Sequence, residues 1–310
     1  MNDPYSGIEA TPEQQAAYAE QFAETLQETI ARLAKLHPLD YEKVREAEAE
    51  KLGIKRVSEL DKAVSKVRKQ NADDKAPFSD TEPWPEPINP ETLLDEISAT
   101  IRRFIVIDKY QSDIAALWIA VCWFVDVINT APIALINAPE KGCGKTQLLT
   151  LLCKLALRAA QLSGISPSVL FRMIEKYQPT LFVDEIETVL KDNEDLRGLL
   201  NAGHTRDSAF VWRSVAVGDD FEPKRFSVWG MKAIAGINAI KLAETVTSRS
   251  IVFELRRKKP DEKVERLRFA EPDLFEKLTA QLARFAEDYS EKVRQTRPVL
   301  PNELGDREQD

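Results

Sequence analysis

The sequence predicts an α/β fold, a three-layer sandwich with helices on both faces of a parallel sheet. Apolar runs of strand length recur at 133–137, 180–184, 232–237 and 251–255. Segments of helical character separate them, at 145–160, near 167–177 and at 193–201. A third feature interrupts the alternation: 209–230 carries two β-type runs around a turn, which predicts a hairpin inserted into the α/β core.

Taken in order, residues 10–36 are rich in Ala, Gln, Glu and Leu. Tyr18, Phe22, Leu26, Ile30 and Leu33 recur at three and four residues, which predicts an amphipathic helix. Leu39, Val44, Ala47 and Leu52, then Gly53, then Val57, Leu60, Val64 and Val67 predict two short helices joined at the glycine, a unit suited to packing on a partner. Residues 71–90 turn acidic and proline-rich, which favours extended backbone and a linker. The expected division is therefore a helical region at 1–70, a linker at 71–90, the α/β core at 91–258 and a helical segment at 259–310.

Within the core, Asn89-Pro-Glu-Thr92 opens a helix with Leu93, Leu94, Ile97, Ile101 and Phe104 on one face. Another helix follows over about 112–126. The hairpin pairs Ala209–Val217 with Arg225–Trp229 through a long tip containing Gly218, Asp219 and Asp220. Beyond Asp261, Leu267, Leu274, Leu278, Leu282 and Phe285 predict helical segments forming a small lid.

Composition bounds the function classes. At 310 residues and 43% hydrophobic content the chain can bury a full core. The longest apolar run, Ile114–Val125, is interrupted by Asp126 and too short to cross a bilayer, so it reads as a buried helix. The start Met-Asn-Asp-Pro-Tyr-Ser lacks the pattern of a signal peptide, and a cytoplasmic location without membrane attachment is expected. Three cysteines, Cys122, Cys143 and Cys153, suit a reducing compartment. His37 and His204 are the only histidines, which argues against a zinc site. The net charge is −8, and residues 1–91 hold 19 acidic against 12 basic residues. The remainder is near neutral and leaves room for local basic patches.

The chemistry concentrates in Ala138-Pro-Glu-Lys-Gly-Cys-Gly-Lys-Thr146, between an apolar strand and an apolar helix. A nucleoside triphosphate needs inward backbone N–H groups, a helix N-terminus, a lysine across the β/γ oxygens and a hydroxyl for magnesium. Pro139, Glu140, Lys141, Gly142, Cys143, Gly144, Lys145, Thr146 and Gln147 are the expected contacts to ATP. Pro139 stands where the Gly-x4-Gly-Lys-Ser/Thr pattern wants glycine, and its φ is locked near about −65°.

Thr180-Leu-Phe-Val-Asp-Glu185 is an apolar strand ending in two acids, about forty residues beyond Lys145. In a triphosphatase the first acid, Asp184, holds Mg2+ with Thr146, and the second, Glu185, orients the attacking water. A solvated strand end is the alternative. Asn238, after the strand 232–237, reads either as a bridge between γ-phosphate and water or as a turn asparagine. Arg249, just before the last strand, reads as an arginine offered to a neighbouring subunit's γ-phosphate or as an exposed strand-start residue. Arg213, Lys224 and Arg225 of the hairpin are candidates for DNA phosphate contact, against a hairpin that only packs through its aromatics. His204 and Arg206 sense nucleotide or a neighbour, or are structural. Cys143 reads as a small filler.

The order of phosphate loop, Asp-Glu strand, polar strand end and arginine resembles that of AAA+ ATPases, and the hairpin resembles the pre-sensor hairpin of replicative AAA+ helicases. Ser166-Pro-Ser-Val-Leu-Phe-Arg172, Pro179-Thr-Leu-Phe-Val-Asp-Glu-Ile-Glu187, Asp192 to His204 and Glu222-Pro-Lys-Arg-Phe-Ser-Val-Trp229 look like the domain-of-unknown-function 3631 family. The likeness spans roughly 90–305, and the 37–70 unit resembles a segment upstream of that domain. It implies an AAA+-like P-loop fold, ATP and Mg2+ as cofactors, a homo-oligomeric ring such as a hexamer, and DNA and a primase as partners. The implied role is a helicase or translocase in replicating a mobile element of phage or plasmid type. Pro139 looks like a family trait. The family continues beyond Leu304-Gly-Asp-Arg307 into a further helical region, which implies a lid cut short here. Two other readings stay open: an ATP-driven loader or assembly switch, and a nucleotide-binding module with negligible hydrolysis.

Overall fold

The computed structural model describes residues 26–36, 38–54, 56–74, 78, 81–162, 167–190, 194–217, 220–239 and 244–301. The start of the 10–36 helix, the hairpin's Gly218 and Asp219, Asp192, His37 and the 304–307 stretch lie outside them. The chain divides into two compact units, residues 1–77 and 78–310.

In the first unit, α1 (Leu26–Lys35), α2 (Pro38–Lys51) and α3 (Val57–Asp74) bury Leu33, Tyr41, Ala49, Leu60 and Val64 together. Gly53 ends α2 at φ 66, a left-handed turn that costs glycine no Cβ clash. Glu48 accepts from Arg32 at 2.6 Å and from Lys51 at 2.9 Å, and these bonds hold its carboxyl below the usual range. Tyr41 donates to Asp61 at 2.8 Å.

The second unit opens with an extended run that docks: the Trp84 N–H donates to the Ala280 carbonyl at 2.9 Å. Helices α4 (Pro90–Phe104) and α5 (Lys109–Trp123) start where their capping side chains lie. Asn89 accepts from the Thr92 N–H at 3.1 Å and Asp108 from the Gln111 N–H at 2.9 Å. Then come β1 (Ile133–Ala138), α6 (Lys145–Leu155), β2 (Ala159–Leu162), α7 (Pro167–Tyr177), β3 (Thr180–Val183), α8 (Ile186–Val189) and α9 (Glu194–Ala202). The hairpin β4 (Phe210–Val217) and β5 (Asp220–Ser227) precedes β6 (Lys232–Ile237), α10 (Glu244–Thr247), β7 (Ser250–Glu254) and α11 (Pro272–Gln295).

The core sheet has five strands in the order β2-β3-β6-β1-β7, all parallel. From β1 the chain crosses to β2 at the far edge, steps back through the adjacent β3 and β6, and then passes over β1 to β7. Right-handed crossovers therefore put α6 on one face of the sheet and α7 on the other. Helices α4, α5 and α11 pack with α6, while α7 and α9 pack with the hairpin. The loops after β1 and after β3 and β6 thus turn to opposite faces, which opens a crevice at the C-terminal ends of these strands.

Several expectations are corrected. Strand β2 replaces the end of the expected 145–160 helix: the helix stops at Leu155, Ala156 is already extended, and Arg158, whose φ is 47, turns the chain into the strand. Hairpin pairing continues to Val217 opposite Asp220, so the expected long tip is mostly ladder. Of the expected lid residues, Leu267 lies in a short 3-10 turn, and Leu274, Leu278, Leu282 and Phe285 lie in one 24-residue helix whose Phe275, Leu278 and Leu282 join the main core. Among the described residues no helix is long and apolar enough to cross a membrane.

Candidate functional site

Strand β1 is buried on both faces and ends at Ala138, and the chain then turns through 139–144 into α6. Gly142 and Gly144 make the turn, with φ of 82 and 88, values an L side chain adopts at a cost of about 1–2 kcal/mol. Position 139 needs no such value, so proline fits the place where the common pattern has glycine. Gly144 caps α6 without a side-chain hydrogen bond, which leaves the first-turn N–H groups and the positive helix end facing the loop. Lys145 arches back and donates from Nζ to the Glu140 carbonyl at 3.4 Å. Cys143 is buried beneath the loop, while Glu140, Lys141, Thr146 and Gln147 are exposed.

The loop meets the tip of β3 directly. Thr146 Oγ1 donates to Asp184 Oδ2 at 2.7 Å, and the Glu185 N–H donates to Asp184 Oδ1 at 2.9 Å. Glu185 is exposed and has φ 50; Asn238, at the end of β6, has the same value. Left-handed backbone in non-glycine residues is strained and persists where its surroundings fix it. Here the fixing contacts are identifiable, since the Asn238 N–H donates to the Ala138 carbonyl at 3.0 Å. One residue earlier, the Ile237 N–H donates to Glu187 Oε1 at 3.2 Å. Gly236 makes room for that carboxylate, because a Cβ there would lie 2.3 Å from Glu187 Oε2.

The structure thus brings Lys145, Thr146, Asp184, Glu185 and Asn238 to one edge of the sheet. Arg249 is not with them. Ser250 pairs with Ile133 at the start of β1, so Arg249 lies at the opposite edge, roughly 20 Å away at about 3.3 Å per residue. There it donates to the Thr245 carbonyl at 2.5 Å. His204 and Arg206 also lie at that edge: the His204 carbonyl accepts from the Ala131 N–H, and Arg206 donates to the Ile128 carbonyl and stacks on Trp229. Lys232 is sealed nearby, its Nζ donating to the carbonyls of Gly203, Val228 and Gly230 at 3.0, 3.3 and 2.6 Å. Burial pulls its pKa down to about 7.

On the hairpin, alternation separates the three cationic candidates. Arg213 and Lys224 share the face that packs inward, where Arg213 pairs with Asp195 and lies over Phe171, and Lys224 pairs with Glu175 at 3.4 Å. Arg225 is on the outward face, 3.4 Å above the Phe210 ring and opposite Trp212 in the ladder. Trp212 and Phe221, on that same face, are 63% and 69% exposed. The three cations therefore form no common patch.

Sequence reasoning missed Glu187, whose signal was its place two residues after Glu185. It also missed a cleft of about 640 Å³ beside the loop. Ile105–Asp108 and Gln111 line one side, Glu254–Arg256 and Glu262–Val264 another, and Pro139 also lines it. Its lining comes from three distant stretches, so no local motif marks it.

Thr146 and Asp184 offer hard oxygen donors to a divalent cation. Among the described residues no group of three Cys, His, Asp or Glu forms a metal cage. That donor set suits magnesium, which binds through one or two protein oxygens together with phosphates and waters.

Fold and site together define an α/β protein with a five-stranded parallel sheet and a glycine-turn helix start beside an acidic strand tip. No protein-family model matches the chain, and no curated protein matches it. Among solved structures, the apo A form of the NrS-1 C-terminal region (305–718) is similar to 68% of this chain at 14% identity and a TM-score of 0.34. The match spans 47% of that structure's chain, less than half of its length.

Proposed function

We propose that the chain is a magnesium-dependent ATPase of the P-loop, AAA+-like class, related to the domain-of-unknown-function 3631 family. The observation that carries this reading is the Thr146–Asp184 hydrogen bond across the mouth of the glycine turn. It joins, in one place, a helix start with free N–H groups, a lysine, a hydroxyl and a carboxylate, at the sheet edge where α/β proteins bind ligands.

In this reading the N–H groups of 142–146 hold the phosphates and Lys145 exchanges its carbonyl contact for the β/γ oxygens. Thr146 and Asp184 hold magnesium, which when bound neutralises charge on the phosphate oxygens. Glu185, exposed at the strand tip, accepts a proton from the attacking water, and Asn238 orients that water from β6. The neighbouring cleft takes the nucleoside end. Arg249, remote from its own loop, serves a neighbouring subunit in a ring.

The work performed is DNA translocation or unwinding during replication of a mobile element, with a primase as partner. The outward hairpin face supports a single-strand contact by stacking, through Trp212 and Phe221 with Arg225, since base–aromatic stacking tolerates any sequence. Arg213 and Lys224 lie on the other face of the hairpin, outside that contact. The compact helical unit at 26–74 favours, as a second reading, an ATP-driven loader that binds a protein partner. ATP turnover with and without single-stranded DNA separates the two: DNA-stimulated hydrolysis supports the motor, and hydrolysis indifferent to DNA supports the loader.

A further inference from the structure

The strap leaving β7 is built to present one arginine to the phosphate loop. Gln111 clamps its start, accepting the Glu254 N–H at 2.7 Å and donating to the Glu254 carbonyl at 3.4 Å. The Leu255 N–H continues the sheet by donating to the Asn137 carbonyl at 2.9 Å. Arg256 then forks onto both oxygens of Glu262 and donates to the Arg257 carbonyl at 3.2 Å, while Glu262 also accepts the Lys259 N–H at 2.8 Å. The Arg256 guanidinium holds the Glu262 carboxyl well below the usual carboxylate range.

The side chain of Arg257 extends from that fixed turn to the loop. Its Nη1 lies 3.9 Å from Glu140 Oε1, and its Nη2 lies 3.8 Å from where a Cβ on Gly142 would be. Both partners of the ion pair are more than half exposed, at 69% and 54%. Such a pair is weak and readily exchanged.

We propose that Arg257 is a nucleotide-binding residue acting in cis, which releases Glu140 and grips the phosphate chain when a nucleotide occupies the loop. The proposal rests on the phosphate-loop reading above. A planar guanidinium pairs with two phosphate oxygens at once, a stronger contact than a long carboxylate pair in water. Its direction of approach selects the phosphates. Strand β7 flanks β1 on the side away from β6 and β3, whereas Thr146 and Asp184 meet on the β3 side. Arg257 therefore holds the α/β part of the chain, remote from the γ-phosphate, and serves ATP and ADP alike.

The test is calorimetric titration of MgATP and MgADP into the full chain, its Lys145→Ala, Arg257→Ala, Arg257→Lys and Glu140→Gln variants, and the Arg257→Ala, Glu140→Gln double variant. Arg257→Ala is expected to weaken both nucleotides about tenfold. Arg257→Lys, which keeps the charge but loses the fork, is expected to weaken them less. Glu140→Gln tightens binding severalfold while Arg257 is present and has no such effect in the Arg257→Ala background. Circular dichroism and thermal midpoint of Arg257→Ala match the parent, as suits an exposed side chain. Unchanged affinity in Arg257→Ala, or a loss confined to ATP, overturns the proposal while leaving the phosphate-loop reading intact. A parent chain that binds neither nucleotide, like Lys145→Ala, overturns that underlying reading and this proposal with it.

Discussion

The hydroxyl of Thr146 donates to Oδ2 of Asp184 at 2.7 Å, tying the first turn of α6 to the tip of β3. Asp184 spends its second oxygen on the Glu185 N–H, so one carboxylate sets both a helix start and the backbone of the next acid. Asp184→Asn keeps the shape but lowers the charge. We expect it to retain nucleotide binding without magnesium and to lose on the order of 100-fold in magnesium-dependent turnover, matching the several kcal/mol of charge stabilisation a bound ion supplies. Steady-state hydrolysis across a magnesium series checks this.

Glu185→Gln leaves the loop untouched and removes the proposed base. Binding should persist while turnover falls by roughly 10²–10⁴-fold, the usual contribution of general base catalysis. Asn238→Gly is the informative partner, since glycine accepts φ 50 without strain and the fold should keep its stability. Turnover should still fall by roughly 10², the cost of one positioned polar group, and equal turnover in variant and parent contradicts the role of the amide.

Much of this site was legible because its parts are local. The runs 133–137, 180–184, 232–237 and 251–255 are apolar enough to be strands in any parallel sheet; Asp184, Glu185 and Asn238 follow the ends of two of them, and Lys145 and Thr146 open the helix after a third. Strand β2 was not legible. Ala159-Ala-Gln-Leu162 has the composition of a helix end, and only the left-handed turn at Arg158 and pairing with β3 make it a strand. The inward or outward facing of Arg213, Lys224 and Arg225 depends on hairpin register, which composition does not reveal. The cleft beside Pro139 and the reach of Arg257 are assembled from segments more than a hundred residues apart.

The outward hairpin face makes a prediction that separates stacking from charge. Trp212→Ala with Phe221→Ala should weaken single-stranded DNA binding by about 1–3 kcal/mol per stacked base, read by fluorescence anisotropy. Lys224→Ala should leave it nearly unchanged. The reverse pattern contradicts the stacking contact.

Lys232 gives a pH signature. Burial lowers its folded-state pKa from 10.5 to about 7, while the unfolded chain keeps the ordinary value. Between those values the unfolded state holds the extra proton, so stability rises with pH from about 7 toward 10.5 and is flat with respect to this group below 7. The slope is at most about 1.4 kcal/mol per pH unit. Lys232→Met should abolish that rise, which guanidinium unfolding at a series of pH values measures as a shift in midpoint.

If Arg249 serves a neighbour, Arg249→Ala and Glu185→Gln are each inactive alone but regain turnover when mixed, because mixed interfaces hold one intact site. A monomeric and fully active enzyme contradicts a shared site.

On the proposed reading, the glycine turn at 138–146 is an ATP-hydrolysing phosphate loop completed by Asp184. Magnesium-dependent ATP turnover of the parent chain beside Lys145→Ala tests it most directly. Hydrolysis that requires magnesium is expected in the parent and none in the variant; a parent that neither binds nor hydrolyses ATP, or a variant that matches it, contradicts a phosphate loop here.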